Sequence, residues 1–133
     1  MTRSAAAVLT GVAVLGTVGL AALSLTRLIL PGGLGGDNPT AVILLVIVIG
    51  LLAESVAGYA TARIAPSHPY YHAVGVAVML SVIVLMFGSM SAEPFSVAVS
   101  QASINLLQIP GLVLGAFVAK RLLRESQASE EEE

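Results

Sequence analysis

From Ala41 to Ala62 the chain runs for the thickness of a bilayer with a single charged side chain, Glu54. About 20 apolar residues suffice to cross the hydrocarbon layer, and a backbone in lipid must satisfy its own hydrogen bonds, so such a stretch folds as a helix. Counting turns from Glu54 places Gly50, Ala57, Gly58 and Thr61 on its side of that helix, while bulky Leu, Ile and Val fill the rest. A small face lets a neighbouring backbone approach closely, and an ionisable group inside lipid turns towards that neighbour. The pattern predicts the inner helix of a membrane bundle.

The remainder of the chain supplies its partners. Ala5 to Thr26 carries no charge and follows Arg3. A secretory signal also starts with a cation and an apolar run, and Gly19-Leu20-Ala21 resembles a cleavage site, but this run is longer than the roughly 7 to 15 residues of a signal core. We read it as a first, uncleaved helix. Pro31 to Pro39 is a glycine- and proline-rich connection whose spacing matches neither the P-loop nor the dinucleotide fingerprint. Ser67-His68-Pro69 turns the chain into a third helix. A fourth follows from Phe95 to Ala119, with Pro110 interrupting its interior. The expected fold is all-α, a four-transmembrane-helix bundle over residues 1–124 with helices at about 5–27, 41–64, 72–88 and 95–119. Residues 125–133 read as a disordered acidic tail.

Charge and composition agree. Of 133 residues only 11% are charged, against about a quarter in a soluble domain. With both termini on one side, that side holds Arg3, Arg63, Lys120, Arg121 and Arg124, and the other holds Arg27. The positive-inside rule then places the termini in the cytoplasm, with Tyr59, Tyr70 and Tyr71 near the cytoplasmic interface. The Arg, Ala, Gly and Val usage points to a bacterial source and so to the inner membrane. A weak internal repeat relates Gly58-x-x-x-Ala62-Arg63 to Gly115-x-x-x-Ala119-Lys120, as two helical hairpins around a pseudo-two-fold along the membrane normal would.

Polar groups converge at one depth. At about 1.5 Å per residue the midplane falls near Thr17, Leu52, Ser81 and Leu106. Glu54 lies close to that level, as do Asn105 and Gln108, which share a helix face with Gln101. Thr17 belongs to a small stripe of Thr10, Ala13, Ala21 and Ser24 on the first helix, and Ser81 to one on the third. Pro110 has no N–H, which frees the Leu106 carbonyl as an acceptor in the same layer. The expected intramembrane polar layer is therefore Glu54, Asn105, Gln108, Gln101, Thr17 and Ser81, with Gly50, Gly58, Pro110 and Gly115 shaping the helix packing. Glu54 is expected to face the bundle and contact the fourth helix near Asn105, Gln108 or the Leu106 carbonyl. An ionised carboxylate at that depth costs roughly 2.5–3.5 kcal/mol on insertion scales, which favours the neutral acid.

Enzyme chemistry finds little footing. There is no cysteine, which removes disulfides, thiolate metal sites and thiol nucleophiles. His68 and His72 have the spacing of a metal pair, but Pro69 intervenes and no carboxylate lies near, so they read as a polar turn. Asp37, the one aspartate, falls at the opposite end from both histidines. The weakly basic remainder left once Glu130 to Glu133 are set aside gives no nucleic-acid footprint.

Ala57-Gly-Tyr-Ala-Thr-Ala-Arg-Ile-Ala-Pro66 followed by His72-Ala-Val-Gly75 resembles uncharacterised small four-helix membrane proteins of bacteria, in which a Gly-Tyr-x-Ala-x-x-Ile-Ala pattern closes the second helix. The resemblance implies the topology and no activity. Small multidrug transporters share the size but carry their glutamate in the first helix, which has none here, and the motifs of fluoride channels are missing. The sequence thus implies a non-enzymatic integral membrane protein without cofactor, metal or nucleic-acid partner. Its surroundings are the lipid bilayer, and it acts as an accessory or self-associating module, in a homo-oligomer or a larger membrane complex. The alternative is a small proton- or cation-coupled transporter or channel using Glu54.

Overall fold

A computed structural model describes residues 2–29, 39–65, 67–90 and 95–130. The glycine-rich connection and the end of the acidic tail, residues 131–133, lie outside the described residues. Among the described residues five helices follow one another: α1 (Thr2–Ile29), α2 (Pro39–Ile64), α3 (Pro69–Met90), α4 (Phe95–Leu106) and α5 (Ile109–Glu130). The fold is the all-α bundle expected, with α4 and α5 as two parts of the fourth helix. Among the described residues three helices, α1 to α3, contain segments long and apolar enough to cross a membrane: Arg3–Ala22, Leu44–Ile64 and Pro69–Phe87.

The fourth helix breaks where Pro110 requires it. The ring excludes the Leu106 carbonyl and offers it no N–H, so the chain turns at Leu107 and Gln108 and restarts with Pro110 in the first turn of α5. Across the break, the Gln108 N–H donates to the Asn105 carbonyl at 3.2 Å and the Leu112 N–H to the Gln108 carbonyl at 3.1 Å. The two parts have different partners: α4 packs on α3, and α5 packs mainly on α2, which also carries α1. Beyond the expected end at Ala119, α5 continues to Glu130. Residues 125–130, expected as disordered tail, are therefore helical, and Arg121 is paired with Glu125 at 2.9 Å on the exposed surface.

The interior is made of small residues. Ala7, Ala53, Ala57, Ala62, Ala73, Ala77, Ala116 and Ala119 are buried, with Leu112 and Val76 the largest fully buried apolar side chains. The bulky residues face outwards instead, among them Leu20, Leu28, Leu52, Met86 and Phe87. A water-soluble bundle is arranged the other way round. Lipid tails are as apolar as Leu, so large side chains lose nothing by facing them, and close approach of backbones becomes the main reward of packing.

That approach is closest between α2 and α5. A Cβ at Gly58 would collide with the Leu112 carbonyl group, and one at Gly115 would meet the Ser55 carbonyl carbon at 2.7 Å and the Tyr59 nitrogen at 2.8 Å. These two contacts are reciprocal. The shift along the chain that carries Gly58 onto Gly115 also carries Ser55 onto Leu112, and Ala62 and Arg63 onto Ala119 and Lys120. Each helix thus presents a glycine to the same point of its counterpart, as in an interface around a two-fold axis. On α1, Gly11 allows the same intimacy with Thr61 and Val76.

Candidate intramembrane site

Glu54 sits on α2 where this interface meets the break in the fourth helix. Its side chain lies over Gly111, so a Cβ there would strike Glu54 Oε2 and come within 2.6 Å of the Glu54 Cβ. Gly111 is also the residue onto which the same shift carries Glu54. Next to it, the Ser55 hydroxyl donates to the Gly111 carbonyl at 3.3 Å, tying α2 to the first turn of α5. Glu54 therefore faces the bundle and touches the fourth helix, as its small-residue face implies.

The acceptors expected for it are not engaged. Among the described residues Glu54 makes no hydrogen bond, and its Oε2 is buried without a partner. Gln108 Oε1 is buried and unpartnered as well. Contact with the fourth helix is made at Gly111, one turn past Gln108, the last of the three expected partners in the chain. The break is the physical reason: Asn105 lies on α4, the part that packs on α3, while the part facing α2 begins at Ile109.

The other expected members of the layer are dispersed. Ser81 is buried, and its hydroxyl bonds the Ala77 carbonyl at 3.0 Å and the Ala102 carbonyl at 2.9 Å, so it joins α3 to α4. Thr17 is exposed, with its hydroxyl turned back to the Ala13 carbonyl at 2.8 Å. The face that α1 buries is Ala7, Gly11 and Leu15, and the stripe of Ala13, Thr17, Ala21 and Ser24 looks outwards. The Gln101 side chain lies outside what is described. Of the packing residues, Gly58 and Gly115 hold the closest contact, Pro110 makes the break, and Gly50 borders Glu54, whose Oε1 lies 3.9 Å from where a Cβ would be.

Sequence reasoning passed over Gly111, Gly11 and Ser55. The first carried a readable signal, because Gly111-x-x-x-Gly115 directly after Pro110 is a small-x-x-x-small pattern on the restarting helix. At the opposite end of the bundle His68 adopts a positive φ of 48° and takes the Tyr71 N–H on its carbonyl at 3.0 Å. The His72 ring nitrogen Nδ1 bonds that same carbonyl at 3.2 Å. The two histidines cap α3, and no group of residues suited to a metal occurs among those described. Lys120 lies 5.2 Å from the centre of the Tyr70 ring and ties α5 to α3.

No protein-family model matches this chain, and neither the curated proteins nor the solved structures contain a significant match.

Proposed function

We propose that this is a small, non-enzymatic integral membrane protein of four crossings with a proton- or cation-coupled site at Glu54, in a small transporter or channel. The observation that carries this reading is the buried, unpartnered oxygen of Glu54 lying against the break in the fourth helix. A carboxyl kept only for packing would be satisfied by neighbouring donors, since a buried polar group without a partner costs about 1–3 kcal/mol. Broken helices at mid-membrane are where transporters place their binding groups. The small faces that suggested self-association are consumed inside the chain, Gly58 and Gly115 by each other's helix.

Reconstitution into liposomes enclosing a pH-sensitive dye tests this. Imposed proton, Na⁺ and K⁺ gradients should give flux above that of empty liposomes, and Glu54→Gln should abolish it; equal flux in wild type and variant would refute the reading.

A second reading, an accessory or self-associating module, has one observation in its favour. The exposed stripe of Ala13, Gly16, Thr17, Ala21 and Ser24 on α1 is small enough to admit another helix, and a Cβ at Gly16 would meet nothing within 4 Å. In either case the termini are cytoplasmic in the inner membrane of a bacterium, on the strength of the cation asymmetry and of the resemblance to small four-helix bacterial membrane proteins. Reporter fusions at Gly35 and at the C-terminus should read periplasmic and cytoplasmic, respectively.

A further inference from the structure

We infer that the ligand of this site is a single proton, shared between Glu54 Oε2 and Gln108 Oε1. The inference rests on the coupled-site reading and specifies its ion. Two facts bring the pair within reach of one another. Glu54 lies over Gly111, and Gln108 stands at the break three residues before Gly111, where its carbonyl accepts from the Leu112 N–H and its side chain is long enough to span one turn. Both oxygens are buried and neither has a donor.

Two acceptors cannot satisfy each other, but one added proton turns the carboxyl into a donor and satisfies both at once. A metal cation fits less well. Hard cations take about six oxygens or more. Among the described residues the buried, unpartnered side-chain oxygens are those of Glu54 and Gln108, and even with the Leu106 carbonyl they fall short. The Ser55 hydroxyl, which donates to the Gly111 carbonyl and keeps its lone pairs free, adds one oxygen more and still leaves the set below six.

Gln108 suits the release of the proton as well as its binding. When Glu54 gives up its proton to water, the amide can rotate and present its NH₂ to the carboxylate, so that a hydrogen bond joins the pair in both states. Gly111 makes room for the exchange, because any side chain there would occupy the position of the carboxyl. The proton comes from water and returns to it, and no other reactant is required.

Glu54 is the one titratable member of this pair. The ionisable residues of α1 are Arg3 and Arg27, near its ends. Those of α3 are Tyr70, Tyr71 and His72, in its first turn, and α4 has none. On α5 the first is Lys120, beyond Ala119, and on α2 the others are Tyr59 and Arg63.

Infrared difference spectra of the full chain in liposomes, recorded across a pH titration, test the pairing directly. The wild type should show the carbonyl band of a hydrogen-bonded carboxylic acid, and Glu54→Gln should lack it. Gln108→Leu, which removes the acceptor, and Gln108→Asn, which shortens its reach, should both move the band to higher wavenumber, while Thr17→Val leaves it in place. A band unmoved in both Gln108 variants overturns the inference. So does a band abolished at fixed pH by Na⁺ or K⁺, which would make the ligand a metal cation. Flux is read separately: a band that shifts as expected in a protein without flux upholds the shared proton and refutes the transport reading alone.

Discussion

Helix α4 meets α3 through a hydroxyl, with Ser81 reaching the Ala102 carbonyl at 2.9 Å, whereas α5 meets α2 through bare backbone at Gly58 and Gly115. The two are parts of one interrupted helix, so the difference comes from what each finds opposite. Where both partners offer glycine in register, the chains close until main-chain atoms touch. Where neither does, a short polar side chain reaches across the gap. A backbone contact has no slack, since the carbonyl of Leu112 cannot swing aside as the end of a side chain could. A hydroxyl contact is replaceable, because Ser81 also bonds the Ala77 carbonyl within its own helix.

The largest effect should follow from placing volume on the backbone side of this comparison. Gly115→Val is expected to destabilise the bundle by about 3 kcal/mol or more, and Gly58→Ala by about 1–3 kcal/mol, because in each case the obstacle is main chain. Thermal unfolding in detergent measures both, and a Gly115→Val variant as stable as wild type would break the comparison.

Next comes the acid that sits at the same interface. Glu54→Leu should cost on the order of 1–3 kcal/mol by crowding Gly111 and by removing the proton inferred to satisfy Gln108. Glu54→Gln should be nearly neutral for stability, since an amide keeps a donor and an acceptor. The same unfolding series ranks them, and a Gln variant as damaging as Leu would require the carboxylate itself for folding.

On the hydroxyl side, Ser81→Ala should cost no more than about 1 kcal/mol, in line with interhelical hydrogen bonds in membranes. A loss comparable to that of Gly115→Val would mean that the two modes of contact do not differ in kind. The smallest effect belongs to Thr17→Val, expected within about 0.5 kcal/mol because the side chain is exposed and bonds only its own helix.

The all-α bundle, the interruption at Pro110 and the inward aim of Glu54 were legible because each depends on local chemistry: apolar length, a missing N–H, a small face around an acid. The assignment of Thr17 to the interior failed for a related reason. The first helix has two small stripes, one with Thr17 and one through Ala7 and Gly11, and composition alone does not rank them. Only the neighbours decide, since Thr61 and Val76 require a glycine at the crossing. Placing Asn105 beside Glu54 failed because depth was counted along an unbroken rod. The proline that frees a carbonyl also redirects the chain, so the two parts of the fourth helix serve different partners.

Glu54 and Gly111 face one another at positions related by the same shift that carries Gly58 onto Gly115, so both lie where α2 and α5 meet reciprocally, and two hairpins joined by a two-fold would put them close to its axis. A point on such an axis belongs to both halves at once, and there is room at it for one side chain only. Two identical hairpins assembling as separate molecules would have to supply the same residue twice. An acid from each would set carboxyl against carboxyl, where the two could not both ionise, and a glycine from each would leave no acid at all. Joining the hairpins in one polypeptide removes that constraint. One half can keep the acid while the other gives up its side chain to make space, and the pair acquires a stoichiometry that no symmetric pair could reach.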